Sequence, residues 1–222
     1  VFVLKGFINQ INYKQLKKNL HNHSFKTESD TEVVIYLYEE IGLDVFSKLD
    51  GMFALALMDK EDLILARDPL GIKSLYYAFK AGVLYFTSEI KALLPYCTDI
   101  KEFPSGYYYH SRFGFTQYYE IQTNVNESCQ MQAYIPKVYE EFDQAVRKRL
   151  MSDVSLGVFL SGGLDSSLTS AFAKKYTDNL HSFSVGVKGS PDREYAFQVS
   201  KFLVTIHHEY ILDVDEMFKS IP

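Results

Sequence analysis

Between an apolar run, Val154–Leu160, and a stretch with helical spacing stands Ser161-Gly162-Gly163-Leu164-Asp165-Ser166. Few structures accommodate such a string. Two adjacent glycines let the main chain take dihedrals closed to other residues and approach a ligand closely. A loop that feeds a helix also turns free N–H groups toward an anion, with the helix dipole of favourable sign. The hydroxyls of Ser161 and Ser166 add donors. Asp165 suits a phosphate site only through an intervening cation, so it reads as a Mg²⁺ ligand. The Walker pattern Gly-x-x-x-x-Gly-Lys does not occur, which argues against terminal phosphate transfer of the kinase or GTPase type. The competing structural reading is a plain glycine-rich turn with a Ser or Asp cap.

Downstream of the loop the chain alternates between helix and strand patterns. A helix at about 166–176, a strand Leu180–Val187, a helix at about 193–203 and a strand Ile206–Leu212 succeed one another, and an amphipathic helix at about 133–151 precedes them. Strands alternating with helices predict βαβ units and a parallel sheet. Residues 1–120 obey a different grammar of short strands and tight turns. Their one clear helix is Asp30–Ile41, with Ser29 or Asp30 as N-cap, Val33, Val34, Leu37 and Ile41 on one face, and Gly42 as stop. Hairpins are predicted for Met52–Met58 with Leu63–Arg67 and for Leu75–Phe79 with Val83–Thr87. A short helix from Ser88 to Pro95 and aromatic strands Tyr107–His110 and Phe115–Tyr119 complete this half. Residues 121–132 are polar and aperiodic, and read as a linker.

Composition narrows the classes further. With 222 residues, 47% hydrophobic and 23% charged, the chain can bury a real core, which excludes a disordered tail and a coiled coil. The longest apolar run, Met52–Met58, is far too short to cross a membrane, and no secretory signal precedes it. A net charge of −5, with both sides of Gln132 mildly acidic, leaves no footprint for a nucleic-acid backbone. Cys97 and Cys129 are too few for a disulfide framework or a zinc cluster and read as reduced thiols of a cytoplasmic protein. Val1 begins inside a strand pattern and Pro222 ends inside a helical one, so both ends are expected to be missing. His207 and His208 are adjacent on a strand, point to opposite faces and make poor metal co-ligands. His21 and His23 are expected to be solvated. Lys14, Lys17 and Lys18 form an outer helix face that needs no partner, with Leu16 and Leu20 inward. Arg147, Lys148 and Arg149 suit a helix C-terminus.

The loop resembles the Ser-Gly-Gly-x-Asp-Ser pyrophosphate loop of the N-type ATP pyrophosphatases, which cleave ATP between its α and β phosphates and adenylate a substrate oxygen. Its wider context, Leu150–Ser167, His181–Gly186, Gly189–Asp192 and His207–Glu209, resembles the synthetase domain of glutamine-hydrolysing asparagine synthetases. That resemblance implies that Leu160 and Val185 contact adenosine, that Ser161, Gly162, Gly163, Asp165 and Ser166 hold pyrophosphate, and that ATP and Mg²⁺ are required. Upstream, Leu49–Leu57, Arg67–Lys73, Leu75–Tyr77, Ser88–Leu94 and Ser29–Glu32 resemble the class II glutamine amidotransferase domain. There Asp30 would hold the α-amino group of glutamine, beside its reading as a helix cap. The implied architecture is an incomplete Ntn-hydrolase-like αββα domain (1–120), a linker (121–132) and an incomplete doubly wound parallel α/β domain (133–222).

Some positions depart from that family. Its nucleophile is an N-terminal Cys whose own amine is the base; residue 1 here is Val, and Cys97 and Cys129 are internal. The stretch nearest to the family's Asn-Gly-Glu-Ile-Tyr-Asn segment is Lys5-Gly6-Phe7-Ile8-Asn9-Gln10-Ile11-Asn12, which keeps Gly6 as a glutamine contact but puts Lys and Phe where Asn and Glu belong and carries about two extra residues. Losing an oxyanion donor costs about 10²–10³ in rate, so this chain alone is expected to be inactive. Ser74 replaces a family Pro. The implied reaction is ATP-dependent amidation of L-aspartate with ammonia from L-glutamine, through β-aspartyl-AMP, and a homodimer is compatible with it. Two alternatives stay open: a related amidotransferase-ligase acting on another carboxylate, and a non-catalytic nucleotide-binding relative with a decayed glutaminase half.

Overall fold

The computed structural model describes residues 2–10, 12–123, 130–152 and 154–219, and the chain divides into two compact units, Val1–Val125 and Asn126–Pro222. Unit 1 runs β1 (Phe2–Gln10), α1 (Tyr13–Asn19), α2 (Asp30–Ile41), α3 (Val45–Lys48), β2 (Gly51–Asp59), β3 (Asp62–Arg67), β4 (Tyr76–Lys80), β5 (Val83–Thr87), β6 (Lys101–Glu102), β7 (Tyr107–His110) and β8 (Gly114–Gln117). Its strands pair antiparallel in two sheets, ordered β1-β2-β3-β7-β8 and β5-β4-β6.

The unbroken apolar run in β2 has a simple cause: both faces of the strand are covered. Phe53, Leu55 and Leu57, with Ile64 and Ala66 of β3, pack against Val33, Val34 and Leu37 of α2 and Val45 and Phe46 of α3. Ala54, Ala56 and Leu65 point the other way, where Leu75, Phe103 and the rings of Tyr77 and Phe86 meet them. Small alanines on one sheet opposite aromatics on the other let the two sheets interlock. The result is helix on sheet on sheet, three layers of the αββα arrangement among the described residues.

Helix α2 keeps its expected limits. Ser29 Oγ accepts from the Thr31 N–H at 3.3 Å, and Gly42, at φ 62°, donates to Tyr38 C=O to end the helix. Ile41, expected on the buried face, is exposed instead. In the β4–β5 hairpin, Ala81 (φ 50°) and Gly82 (φ 78°) both sit in the left-handed region between paired Lys80 and Val83. That is the type I′ geometry whose twist matches the flanking strands. The helix expected at Ser88–Pro95 is only a 3₁₀ turn, Ile90–Ala92.

Unit 2 runs α4 (Met131–Arg149), β9 (Gly157–Phe159), α5 (Leu164–Lys174), β10 (His181–Val187), α6 (Pro191–Leu203), β11 (Ile206–Leu212) and α7 (Val214–Lys219). Its parallel sheet has the order β11-β10-β9. Stepping one way across the sheet with right-handed crossovers puts α5 and α6 on the same face. Val146 of α4, Phe172 and Ala173 of α5 and Leu180 form the core there. Asp143 of α4 ties to α5 through Lys175 and to Tyr176 beyond it. On the other face Phe159, Phe183, Val185 and Tyr210 are uncovered among the described residues, so what stands here is the helix-covered half of a doubly wound sheet. The strand expected over Val154–Leu160 is only three residues, because its ladder with β10 begins at Gly157 opposite His181. Val154 is exposed. Among the described residues, no helix is long and apolar enough to cross a membrane.

Candidate functional site

The glycine-rich loop leaves the sheet at the carboxyl end of β9. Leu160 makes the last sheet contact, its N–H donating to Phe183 C=O at 2.8 Å. Gly162 then takes φ +78°, and Gly163 is the N-cap of α5, in extended conformation and with no side-chain cap. The first intrahelical bond runs from Ser167 N–H to Gly163 C=O at 3.0 Å. The N–H groups ahead of it, on Leu164 to Ser166, are therefore the ones offered to a ligand. Ser161 and Ser166 close the turn: their hydroxyls lie 3.0 Å apart, and Ser166 Oγ donates to Gly163 C=O at 3.2 Å.

Five expected residues, Ser161, Gly162, Gly163, Asp165 and Ser166, thus meet in one turn. Asp165 is exposed at the first turn of α5, available to a cation that also contacts phosphate, as Mg²⁺ does when bound through one carboxylate. Val185 is exposed on the open face of β10, two residues past the last β9 partner. Leu160 is 1% exposed, so an adenosine contact at this position would run through its main chain. Sequence reasoning also missed the seat of the loop. A Cβ placed on Gly162 would fall 2.4 Å from Tyr195 Cβ and 2.6 Å from Ala196 N, so the loop rests directly on the main chain of α6. The glycine itself was the signal, since close backbone approach is one of the two things glycine permits.

His207 and His208 point to opposite faces. His207 lies on the helix side, 2.8 Å from Ser182 Oγ and 3.2 Å from Ser184 Oγ, and burial holds its imidazole below the ordinary histidine range. His208 lies on the open side against His181, with ring nitrogens 2.8 Å apart. No group of three or more metal-ligating side chains occurs among the described residues.

In unit 1, Asp30 opens α2 and Gly6 lies in β1. Between Leu4 and Phe7 the β1–β2 register slips, so Lys5 and Gly6 together oppose Leu55. This bulge occupies the segment that the resemblance aligns with the family's oxyanion donor. Cys97 is buried, and Cys129 lies outside the described residues. His23 is not solvated as expected: it stacks on Tyr36 at 4.4 Å and faces Glu40 at 3.2 Å. Lys17 likewise has partners, Glu28 at 2.9 Å and the Phe25 ring. Ser74 Oγ, at the family's Pro position, donates to Ser88 C=O at 2.8 Å.

Glu32 fixes the approach to Asp30. Its carboxylate accepts from the N–H of Lys26 at 2.7 Å, from the N–H and hydroxyl of Thr27 at 2.8 and 2.6 Å, and from Tyr36 OH at 3.1 Å. The Lys26 N–H first, then the Thr27 hydroxyl, pull its pKa down to about 2. A carboxyl whose folded pKa lies below its unfolded value stabilises the fold above the unfolded value. That contribution is expected to fade as pH falls from about 4.5 toward about 2. Amide shifts of Lys26 and Thr27 should follow that titration, and Glu32→Gln should abolish it. A midpoint near 4.5 for those amides would contradict the geometry.

The two units define a class: an antiparallel helix–sheet–sheet domain followed by a parallel α/β domain with an anion-ready loop at its carboxyl edge. Residues 1–133 match the family model for the glutamine amidotransferase domain, and residues 137–222 match that for asparagine synthase. The chain belongs to the glutamine amidotransferase family, in the branch that joins this domain to an asparagine synthase domain. It is 41% identical over 225 residues to asparagine synthetase [glutamine-hydrolyzing] 1 of Arabidopsis thaliana, covering 95% of this chain and 38% of that protein. To the probable asparagine synthetase [glutamine-hydrolyzing] of Schizosaccharomyces pombe it is 40% identical over 232 residues, covering 92% and 42%. A solved glutamine phosphoribosylpyrophosphate amidotransferase from B. subtilis aligns at TM-score 0.47 and 18% identity, covering 99% of this chain and 50% of that one. The chain thus spans about two fifths of the length of the curated relatives it matches.

Proposed function

We propose that this chain carries the pyrophosphate-binding end of the ATP site, and part of the glutamine site, of an enzyme that amidates L-aspartate to L-asparagine. The observation that carries this reading is the uncapped start of α5, with Gly162 folded back on α6 and Asp165 exposed beside the free N–H groups. Residues 1–120 serve as the amidotransferase part, 121–132 as the linker and 133–222 as the synthetase part. The reaction takes ATP, L-aspartate, and L-glutamine or ammonia. Aspartate's β-carboxylate oxygen attacks the α-phosphorus, the bond from that phosphorus to the bridging oxygen breaks, and pyrophosphate leaves. Ammonia then adds to the acyl carbon of β-aspartyl-AMP, and AMP departs.

The loop's part is to hold the leaving pyrophosphate. The N–H groups of Leu164 to Ser166 donate to its oxygens, the hydroxyls of Ser161 and Ser166 do so by turning away from their contacts within the turn, and Asp165 would hold Mg²⁺. Bound there, that ion supplies positive charge against the charge gathering on the leaving group. Asp30 would hold the glutamine α-amino group, beside Gly6. A cytoplasmic location and a homodimer accord with this reading.

The full-length protein bearing this sequence is expected to release pyrophosphate from ATP only when aspartate is present. In that protein Asp165→Ala should lower the release at least 100-fold with little change in thermal midpoint, because an exposed loop carboxylate adds little to the core. Aspartate-independent release, or an undiminished rate in the variant, would overturn the assignment.

A further inference from the structure

We infer that Arg193 and Glu209 act as a positioning pair that sets the seat of the phosphate loop, a role that rests on reading the loop as the pyrophosphate site. Two contacts and one buried residue join into one path. The loop touches α6 at Tyr195 and Ala196, where a Cβ on Gly162 has no room. Ala196 is fully buried, so that stretch of α6 cannot shift without disturbing its packing. Two residues before Tyr195, Arg193 reaches across the sheet: its Nε donates to Glu209 Oε1 at 3.0 Å and its Nη2 to Oε2 at 2.7 Å.

The arm is guided as well as anchored. It lies over Gly186 of β10, where an added Cβ would come within 2.9 Å of Arg193 Cγ. The guanidinium and carboxylate then close on β11, bordering a cleft of ≈ 360 Å³ with Gly189, Ser190, Glu194 and Phe197. Both side chains are largely sheltered, at 19% and 28% exposure. A two-pronged Arg–carboxylate pair of this kind fixes direction as well as distance. The start of α6 is therefore pinned to β11 through Arg193 and carries the loop of β9 one turn on, at Tyr195 and Ala196. Their hydrogen bonds run to each other rather than to the loop, so their influence runs through the position of α6. A misplacement of about 1 Å at a binding site can cost 10²-fold, and a slack seat should register in pyrophosphate binding before it registers in folding.

The test uses the 222-residue chain, ¹⁵N-labelled and titrated with Mg²⁺-pyrophosphate. Arg193→Leu and Glu209→Gln are each expected to move the amide resonances of Gly162 and Gly163 and to weaken pyrophosphate binding about tenfold. The amides of Thr169–Lys174, farther along α5, should keep their positions. Arg193→Lys, with the charge but not the fork, should fall between. The exchange Arg193→Glu with Glu209→Arg should restore both readouts to within about threefold. Unmoved Gly162 and Gly163 resonances in the single variants, or no recovery in the exchange, would overturn the pairing. Should the unaltered chain fail to bind pyrophosphate, the functional reading falls, while the two glycine resonances still decide whether the pair seats the loop.

Discussion

Asp68→Ala is expected to destabilise unit 1 by about 3–5 kcal/mol, a large part of the 5–15 kcal/mol that holds a typical domain. The carboxylate is fully buried and accepts four main-chain N–H bonds: Leu70 and Ile72 on Oδ1 at 3.1 and 2.9 Å, Phe53 and Lys73 on Oδ2 at 3.3 and 2.9 Å. Its neighbour Arg67, 5% exposed, does the complementary work. The guanidinium donates to the carbonyls of Gly71, Lys73 and Phe103 at 2.8, 2.7 and 2.6 Å, and to Glu102 at 2.7 Å. The 68–73 loop thus gives its donors to the aspartate and its acceptors to the arginine. Alanine would leave those donors buried without acceptors, at about 1–3 kcal/mol each before relaxation. Asp68→Asn retains one acceptor oxygen and should fall between. Urea unfolding followed by circular dichroism measures the loss, and amide exchange in β2 and β3 assigns it to unit 1. A change below about 1 kcal/mol would mean the loop's donors find other partners.

That network shows where reading the sequence reaches its limit. Helix α2 was legible to its last residue, because Ser29, the spacing of Val33, Val34 and Leu37, and Gly42 are all local signals. β11 was legible from its bounded run between a helix end and a polar turn, and the phosphate loop from its two glycines. The roles of Arg67 and Asp68 were not. The motif was visible, but Phe53 is 15 residues away and Glu102 and Phe103 are 35 and 36, so no local pattern announces the bonds. The same holds for Arg193, which reads locally as one more charge in a helix's first turn until β11 brings Glu209 beside it. Errors of the opposite kind came from trusting apolar runs. Ile41 continues the spacing of α2 and Val154 continues the run into β9, yet neither finds a surface to pack on. Periodicity marks which residues could be buried; neighbours distant in sequence decide which are.

Gly162→Ala should be the most damaging single-methyl change in unit 2. Two costs fall on the same atom. At φ +78° an L-residue is strained by about 1–2 kcal/mol, and the new Cβ would lie 2.4–2.6 Å from Tyr195 and from the main-chain nitrogen of Ala196. Because Ala196 is fully buried in α6, the helix cannot yield cheaply, so the loop must. Moving it re-aims the N–H groups at the start of α5 and separates Ser161 from Ser166, the pair that closes the turn. Binding of Mg²⁺-pyrophosphate should fall at least 100-fold, with a loss of about 2–3 kcal/mol in the stability of unit 2. Gly163→Ala is the informative control. Its φ is −71°, and the added Cβ would meet only Ser161 Oγ, at an ordinary 3.5 Å. Stability should therefore change by less than about 1 kcal/mol. Any loss of binding in that variant then reports how closely the ligand approaches the main chain rather than damage to the fold. Equal stability of the two variants would show that α6 does not confine the loop, and the positioning role assigned to Arg193 and Glu209 would go with it.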